Sequence, residues 1–252
     1  ALEELAKVHQ VAAVVTQQDR PKGRGHKMQY TPVKEKALEL NIPVYQPEKV
    51  KNPEFVDILR EINPDVIVVI AFGQILSKEI LDLPKYGCIN VHASLLPKYR
   101  GAAPIQWAVI DGEEETGVTT MYMAEGLDTG DVIDTAVIKL DEKETGGSLF
   151  DKLAIEGGKL IVETLSKLEN GTATRTQQDD EKSSYAGKIT KELGQIDFTK
   201  PAVTIERLIR GLNPWPSAYT TLDGKAMKVW DATVEEGNVT EQPGEIVEIA
   251  KH

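Results

Sequence analysis

Asp65-Val66-Ile67-Val68-Val69-Ile70-Ala71 is a continuous apolar run that begins with a single acid. Uninterrupted β-branched residues over the length of a strand are typical of a strand buried in a parallel sheet. Strand-like and helix-like stretches alternate around it, with strands at residues 11–16 and 88–92 and helices at residues 32–40, 53–61, 103–110 and 147–168. This alternation predicts an α/β fold with a doubly wound, mainly parallel, Rossmann-like sheet, which binds its ligand beyond the carboxyl ends of the strands.

The pattern changes after about residue 172. Polar residues without periodicity fill positions 173–188, which we interpret as a linker that follows a catalytic domain of residues 1–172. The remaining residues, 189–252, predict a small, β-rich, barrel-like second domain. Its expected elements are one helix at residues 201–211 and three strand-like runs, one around residue 219 and the others at residues 225–230 and 245–249.

The composition is that of a globular protein. Of 252 residues, 40% are hydrophobic and 27% are charged, which suits one large core or two domains. The single cysteine, Cys88, excludes an internal disulfide and fits a reducing compartment. We find neither a leader-like start nor an uncharged run of about 20 residues. We therefore expect a cytoplasmic protein with no membrane partner.

Charge is distributed unevenly along the chain. The net charge of −11 argues, taken alone, against nucleic-acid binding, because phosphate contacts need Lys and Arg. Residues 20–27 nevertheless hold four bases and no acid, and residues 188–228 hold seven bases against four acids. Both regions are candidates for phosphate contacts. An ordinary solvated surface explains the same pattern, and charge alone leaves the two interpretations open.

Asn90 and His92 lie two residues apart on the predicted strand 88–92, so their side chains face the same side of the sheet. They come at the carboxyl end of the strand, where this fold binds its ligand. An amide donor beside an imidazole can stabilise an oxyanion and move a proton. A strand-end Asn that satisfies a turn, with a His that caps a neighbouring group, is an equally open structural interpretation.

Asp128 lies between Gly126 and Gly130 in a tight loop. A carboxylate held there can orient His92 or accept a proton, although an acid in a turn is also common for structural reasons. Other chemistries lack their motifs. The chain has no phosphate-binding glycine loop and no GxSxG elbow, and its four histidines and one cysteine have no metal-ligand spacing. We therefore expect no metal cofactor.

The run from Asn90 to Ile105, NVHASLLPKYRGAAPI, together with LDTGD at residues 127–131, resembles the two signatures of the folate-dependent formyltransferases. The resemblance covers nearly the whole chain. It implies a Rossmann-like catalytic domain followed by an OB-like barrel, 10-formyltetrahydrofolate as co-substrate, and Asn90, His92 and Asp128 as the catalytic residues. It also implies a folate pocket of two segments, Phe72, Gln74, Ile75 and Leu76 with Ser94, Leu95, Leu96 and Pro97. Plain core is the other interpretation of its apolar members.

Three features resemble the branch of this family that formylates the amino group of methionyl initiator tRNA. They are TQQDRPKGRG at residues 16–25, in which Gln18 stands where the branch usually has proline, NPWP at residues 213–216, and KVW at residues 228–230. The resemblance implies initiator tRNA as partner and a monomeric enzyme. The implied tRNA-binding residues are Arg20, Lys22, Arg24, Lys27, Lys188, Arg207 and Arg210.

Two rival interpretations remain at this point. One is an enzyme that formylates the amine of a sugar nucleotide, which would share the catalytic residues without the basic loop. The other is an inactive RNA- or folate-binding module. Compared with the family pattern, we expect two pieces to be missing from this chain. One is a first strand with its Gly-Thr-Pro-Asp-Phe turn, and the other is the last part of the C-terminal barrel.

Overall fold

The structure is a computed structural model that describes residues 1–22, 27–237 and 240–249. The helices in these ranges are α1 Leu2–Val8, α2 Pro32–Glu39, α3 Pro53–Ile62, α4 Lys78–Leu81, α5 Pro104–Asp111, α6 Gly146–Glu169 and α7 Ala202–Gly211. The strands are β1 Val14–Val15, β2 Arg20–Lys22, β3 Lys27–Gln29, β4 Val44–Tyr45, β5 Ile67–Val69, β6 Cys88–His92, β7 Arg100–Gly101, β8 Glu115–Tyr122, β9 Val132–Lys139, β10 Tyr185–Ala186, β11 Ala218–Leu222 and β12 Lys225–Val229.

A four-stranded sheet in the order β5-β6-β8-β9 organises the first part of the chain. β5 and β6 run parallel, whereas β8 is antiparallel to β6 and to β9. The α/β class is confirmed, but the expectation of a mainly parallel sheet holds for only one of these three pairings. The loop of residues 123–131, which contains no helix, joins β8 to β9 as antiparallel neighbours, whereas β6 and β8 pair antiparallel although α5 lies between them.

The apolar run of residues 65–71 forms the edge strand of this sheet. Only Ile67–Val69 is a strand, its residues are half-buried, and Ile70 is 43% exposed. The run does form a strand parallel to β6, as predicted, but this strand is half-buried instead of buried. In the described part of the chain, β5 pairs with β6 alone. Two residues after the end of β5, Ala71 has a positive φ of 46°, which extended backbone does not have.

The core lies on both faces of β6. Ile89 and Val91 pack against the apolar stripe of α6, which includes Ile161, while Cys88 packs on the other face against residues of α3. α6 begins at a capping box in which Thr145 and Ser148 satisfy each other's backbone N–H groups. Each fully buried aliphatic side chain in these clusters contributes about 1.5–3 kcal/mol. The two clusters therefore hold β6 from both sides and fix which side chains remain free for chemistry.

The part of the chain after residue 188 packs on the first part through α7. Leu212 and Ile189 form a cluster with Ala103, and Ile209 packs against the hairpin of β11 and β12. The expected strand at residues 245–249 does not form, and Ile249 is 84% exposed. Among the described residues, the hairpin is the only sheet of this part and no closed barrel is present.

None of the described helices is both long enough and apolar enough to cross a membrane.

Candidate active site

β6 presents Asn90 and His92 on one face of the central sheet. Because side chains alternate along a strand, the packing of Ile89 and Val91 against α6 turns the two polar side chains to the opposite face. Asn90 pairs in register with Met121, and its side chain is half-buried without a hydrogen bond to any residue that the structure describes. An amide with free donors beside an imidazole is the arrangement that oxyanion stabilisation requires.

The backbone of Tyr99 fixes the orientation of the His92 ring. His92 is only 6% exposed, and its Nε2 atom lies 2.8 Å from the carbonyl oxygen of Tyr99. A carbonyl oxygen can only accept, so Nε2 carries the hydrogen and donates it. Nδ1 is therefore the ring nitrogen that remains available for proton transfer.

Asp128 faces that nitrogen. Its Oδ2 atom lies 3.8 Å from Nδ1 of His92 and accepts a hydrogen bond of 2.8 Å from the backbone N–H of Gly101. The distance of 3.8 Å exceeds a direct hydrogen bond, but it places the carboxylate beside the ring nitrogen that is available for proton transfer. Asp128 adopts a positive φ of 52°, and a Cβ at Gly130 would overlap the carbonyl oxygen of Tyr122. The two-glycine loop therefore holds the carboxylate in its place.

Tyr99 is a buried anchor that the sequence analysis did not single out. Its hydroxyl lies 2.9 Å from Oδ2 of Asp111 and 2.8 Å from Oε1 of Glu113. Burial, together with these two carboxylates, raises the pKa of the Tyr99 phenol. The backbone at Tyr99 has a positive φ of 59°. The phenol contacts hold this strained turn, and with it the carbonyl oxygen that orients His92. No sequence signal marks a residue that acts through its main chain.

The first predicted folate segment leaves the sheet after β5. Phe72 and Leu76 pack partly buried against the cluster around Val50, and Oε1 of Gln74 accepts a hydrogen bond of 3.0 Å from the backbone N–H of Val50. Ile75, by contrast, is 88% exposed. Phe72 and Leu76 thus pack as core residues, whereas the side chain of Ile75 is accessible to a ligand.

The second predicted folate segment follows β6 and comprises Ser94, Leu95, Leu96 and Pro97. The hydroxyl of Ser94 donates to the carbonyl oxygen of Lys98 at 2.6 Å, and the backbone N–H of Leu96 donates to Oγ1 of Thr119 at 3.2 Å. Ser94 and Leu96 are buried, and the Leu96–Pro97 peptide is cis. β5 and β6 are neighbouring parallel strands, so their carboxyl ends lie side by side and the two folate segments leave the sheet next to each other.

The residues predicted to bind RNA fall into two groups. Arg20 is exposed at the start of a hairpin formed by β2 and β3, and Lys188 is also exposed. The side chains of Lys22 and Lys27, and the whole of Arg24, lie outside the described residues.

The other two predicted RNA-binding residues have contacts within the chain. Nη1 of Arg210 donates to the carbonyl oxygen of Glu144 at 2.8 Å, and its guanidinium pairs with Glu206. Nη1 of Arg207 lies 3.4 Å from the carbonyl oxygen of Asp111. The charge of Arg210 is thus neutralised internally, and both arginines join α7 to the first part of the chain.

Comparison with known proteins identifies the family. The model of the formyl transferase family matches residues 2–165, and that of the formyl transferase C-terminal domain matches residues 188–252. The chain belongs to the formyl transferase family. Within the described residues, no group of three or more His, Cys, Asp or Glu side chains is arranged to hold a metal ion.

Curated proteins that are similar over most of the chain carry out one particular formyl transfer. The chain is 63% identical over 244 residues to the methionyl-tRNA formyltransferase of Agathobacter rectalis, covering 97% of this chain and 79% of that protein. It is 56% identical over 243 residues to the methionyl-tRNA formyltransferase of Clostridioides difficile, covering 96% and 79%. Within its family, the chain therefore belongs with the methionyl-tRNA formyltransferases.

Solved structures share the fold at lower identity. The sugar 3N-formyl transferase WlaRD, in the presence of dTDP and 5-N-formyl-THF, superposes with a TM-score of 0.68 at 23% identity, covering 91% of this chain and 79% of that chain. HypX from Aquifex aeolicus in complex with tetrahydrofolic acid gives 0.65 at 21% identity, covering 83% and 36%. These likenesses show the Rossmann-like formyltransferase fold and nothing finer.

Proposed function

We propose that this chain transfers the formyl group of 10-formyltetrahydrofolate to the α-amino group of methionyl initiator tRNA, with Asn90, His92 and Asp128 at the reacting atoms. The observation that carries the proposal is the approach of Nδ1 of His92 to the Asp128 carboxylate at 3.8 Å, on the strand face that also carries Asn90, whose amide has no hydrogen-bond partner among the described residues. The acceptor is supported by the 63% identity to a methionyl-tRNA formyltransferase.

Asn90 and His92 divide the work on the formyl carbon. The methionyl amine forms the new C–N bond, and the carbonyl oxygen becomes an oxyanion that accepts a hydrogen bond from the Asn90 amide. Collapse of the intermediate breaks the bond to the folate nitrogen, which needs a proton. The imidazolium form of His92 supplies that proton from Nδ1, because Nε2 stays bound to the carbonyl oxygen of Tyr99.

Asp128 keeps the proton balance of the cycle. Through solvent and the Asp128 carboxylate, the proton that the attacking amine loses reaches Nδ1 of His92, and the imidazolium formed in this way is the one that protonates the folate nitrogen. The backbone N–H of Gly101 holds the carboxylate oxygen in place at 2.8 Å. The folate ring would lie between the loops after β5 and β6, against Ile75 on one side and the segment from Ser94 to Pro97 on the other.

The tRNA would contact the basic hairpin and the surface around Lys188. Arg20, Lys22, Arg24 and Lys27 are the proposed acceptor-stem residues, while Arg207 and Arg210 act through the contacts between α7 and the first part of the chain. We further propose a monomer with a catalytic domain of residues 1–172, a connecting segment of residues 173–188 and an OB-like domain of residues 189–252. The hairpin of β11 and β12 supports the last of these.

A formyl-transfer assay with alternative acceptors tests the proposal. Purified protein is incubated with 10-formyltetrahydrofolate and, separately, with charged initiator tRNA, free methionine or a dTDP-linked amino sugar. We expect rapid transfer to the charged tRNA alone. Preferred transfer to the amino sugar would assign the chain to the sugar-modifying branch, and transfer to none of them would indicate a binding module.

A further inference from the structure

The segment between the two parts of the chain, residues 176–186, lies against the loops that hold His92 and Asp128. Thr176 exchanges two backbone hydrogen bonds with Val132, of 2.8 and 2.9 Å, next to the Asp128 loop. Further along, β10 pairs in parallel with β7, which contains Gly101. The backbone N–H of Tyr99 donates to Oγ of Ser184 at 2.8 Å. The segment is thus part of the scaffold of the site.

Gln178 is the buried centre of these contacts. It is 8% exposed, and its Nε2 atom donates to the carbonyl oxygen of Asp128 at 2.9 Å and to that of Gly130 at 2.7 Å. Both amide hydrogens are therefore used on the catalytic loop, one at Asp128 itself and one two residues beyond it. A side chain that satisfies two carbonyls of one turn fixes the shape of that turn.

The other end of the same amide holds the second loop. Oε1 of Gln178 accepts from Nε of Arg100 at 3.0 Å and from Nη2 at 2.9 Å. Arg100 is followed by Gly101, whose N–H binds the Asp128 carboxylate. Only one orientation of the amide places its hydrogens on the two carbonyls and its oxygen on the guanidinium. Gln178 therefore ties the main chain of Asp128 to the loop that holds its carboxylate.

We propose that Gln178 is a positioning residue for formyl transfer, which acts by fixing the Asp128 carboxylate against Nδ1 of His92. The inference rests on the proposed function. A shift of about 1 Å in a catalytic group lowers turnover by up to about 100-fold. The loss of these four hydrogen bonds should therefore change catalysis more than it changes substrate binding.

Two variants and one control test the proposal in the full chain. Gln178→Leu removes every hydrogen bond at similar volume. Gln178→Glu keeps a partner for Arg100 but cannot donate to the two carbonyls. Gln177→Leu, on the exposed neighbouring residue, is the matched control. We expect kcat for formyl transfer to fall about 10- to 100-fold in both Gln178 variants, with the KM values for tRNA and formyl donor unchanged, and no change in the control.

A second background separates positioning from general stability. If Gln178 acts through Asp128, Gln178→Leu should cost little further activity in a protein that already carries Asp128→Asn, because coupled residues are not additive. Equal losses in both backgrounds, or wild-type kcat in Gln178→Glu, would overturn the inference. If Gln178→Leu does not fold, Gln178→Glu alone decides. A wild-type protein that fails to formylate charged tRNA would overturn the proposed function as well, whereas unaffected variants of an active protein overturn only this inference.

Discussion

Oδ2 of Asp128 lies 3.8 Å from Nδ1 of His92, and it reaches that nitrogen from a turn 36 residues further along the chain. The opposite ring nitrogen is bound to a backbone carbonyl, so the imidazole presents one functional atom and the carboxylate faces it. Acid–base pairs of this kind contribute about 10²–10⁴-fold to a rate. Substitutions at and around this pair are therefore expected to change the rate, the stability or the substrate binding of the protein.

Asn90→Ala removes the proposed oxyanion donor. We expect kcat to fall about 10²–10³-fold, because one preorganised donor contributes that much, while the melting temperature stays near that of the wild type. The half-buried amide has no partner among the described residues, so its loss leaves no unsatisfied group there. Asn170→Ala, at the exposed end of α6, is the control. A variant at Asn90 with wild-type kcat would remove the amide from the mechanism.

Gly101→Ala should damage stability and catalysis together. The glycine has a φ of 115°, and a Cβ would lie 2.7 Å from the carbonyl oxygen of Ala186 and 2.7 Å from the ring of Tyr185. We expect a loss of about 1–3 kcal/mol from backbone strain, increased by the overlap, and a large fall in kcat as the N–H moves from Asp128.

Gly171→Ala is the matched control for strain. That glycine also has a positive φ, 69°, but a Cβ there would have no atom of the described residues within 4 Å. It should lose roughly 1–2 kcal/mol at most and keep its activity. Chemical denaturation and initial rates measure both variants, and equal behaviour of the two would show that the close approach at Gly101 has no consequence.

Tyr99→Phe should change the pH dependence of stability at alkaline pH. Burial and the carboxylates of Glu113 and Asp111 raise the pKa of this phenol in the folded state. Its contribution is therefore complete below the unfolded pKa of about 10 and is lost as the pH rises above it. The difference in unfolding free energy between wild type and variant should be constant to about pH 9 and then shrink. A difference that grows with pH would contradict the assignment.

Arg24→Ala tests the basic segment of residues 20–27. Because Arg24 has three basic neighbours in the sequence, we expect weaker binding of initiator tRNA, a salt dependence of binding that falls by about one unit of slope, and unchanged folate binding. Arg60→Ala is the control, since Arg60 pairs with Asp57 and Glu79 and is not part of the basic segment. Equal loss of folate and tRNA binding would mean that the basic segment supports the fold instead.

Local sequence patterns predict single helices and strands better than they predict how the strands pair. The strand of residues 88–92 has the bounds that were predicted, because its alternation and flanking turns are local signals. The same locality explains the helices, such as α3, which begins at the predicted proline. The burial of β5 is lower than the apolar run predicts, since residue type alone does not show that, among the described residues, this strand pairs on one side only.

The residues that orient the site had no such signal. Tyr99 acts through its carbonyl oxygen, and Gln178 reaches Asp128 across 50 residues of sequence in a stretch that was interpreted as a linker. Contacts to the main chain leave no mark in residue type or spacing, and long-range pairs depend on the finished fold. The acceptor, by contrast, was correctly predicted from the family motifs rather than from charge, whose sum of −11 favours the wrong class.

The most direct test of the central claim is the single-turnover rate of formyl transfer from 10-formyltetrahydrofolate to charged initiator tRNA by wild type and by Asp128→Asn. The substitution keeps the shape of the side chain and removes the charge beside Nδ1 of His92. We predict rapid transfer by the wild type, and a rate about 10²–10⁴-fold lower for the variant with unchanged binding of both substrates. Transfer by Asp128→Asn at the wild-type rate would contradict the account.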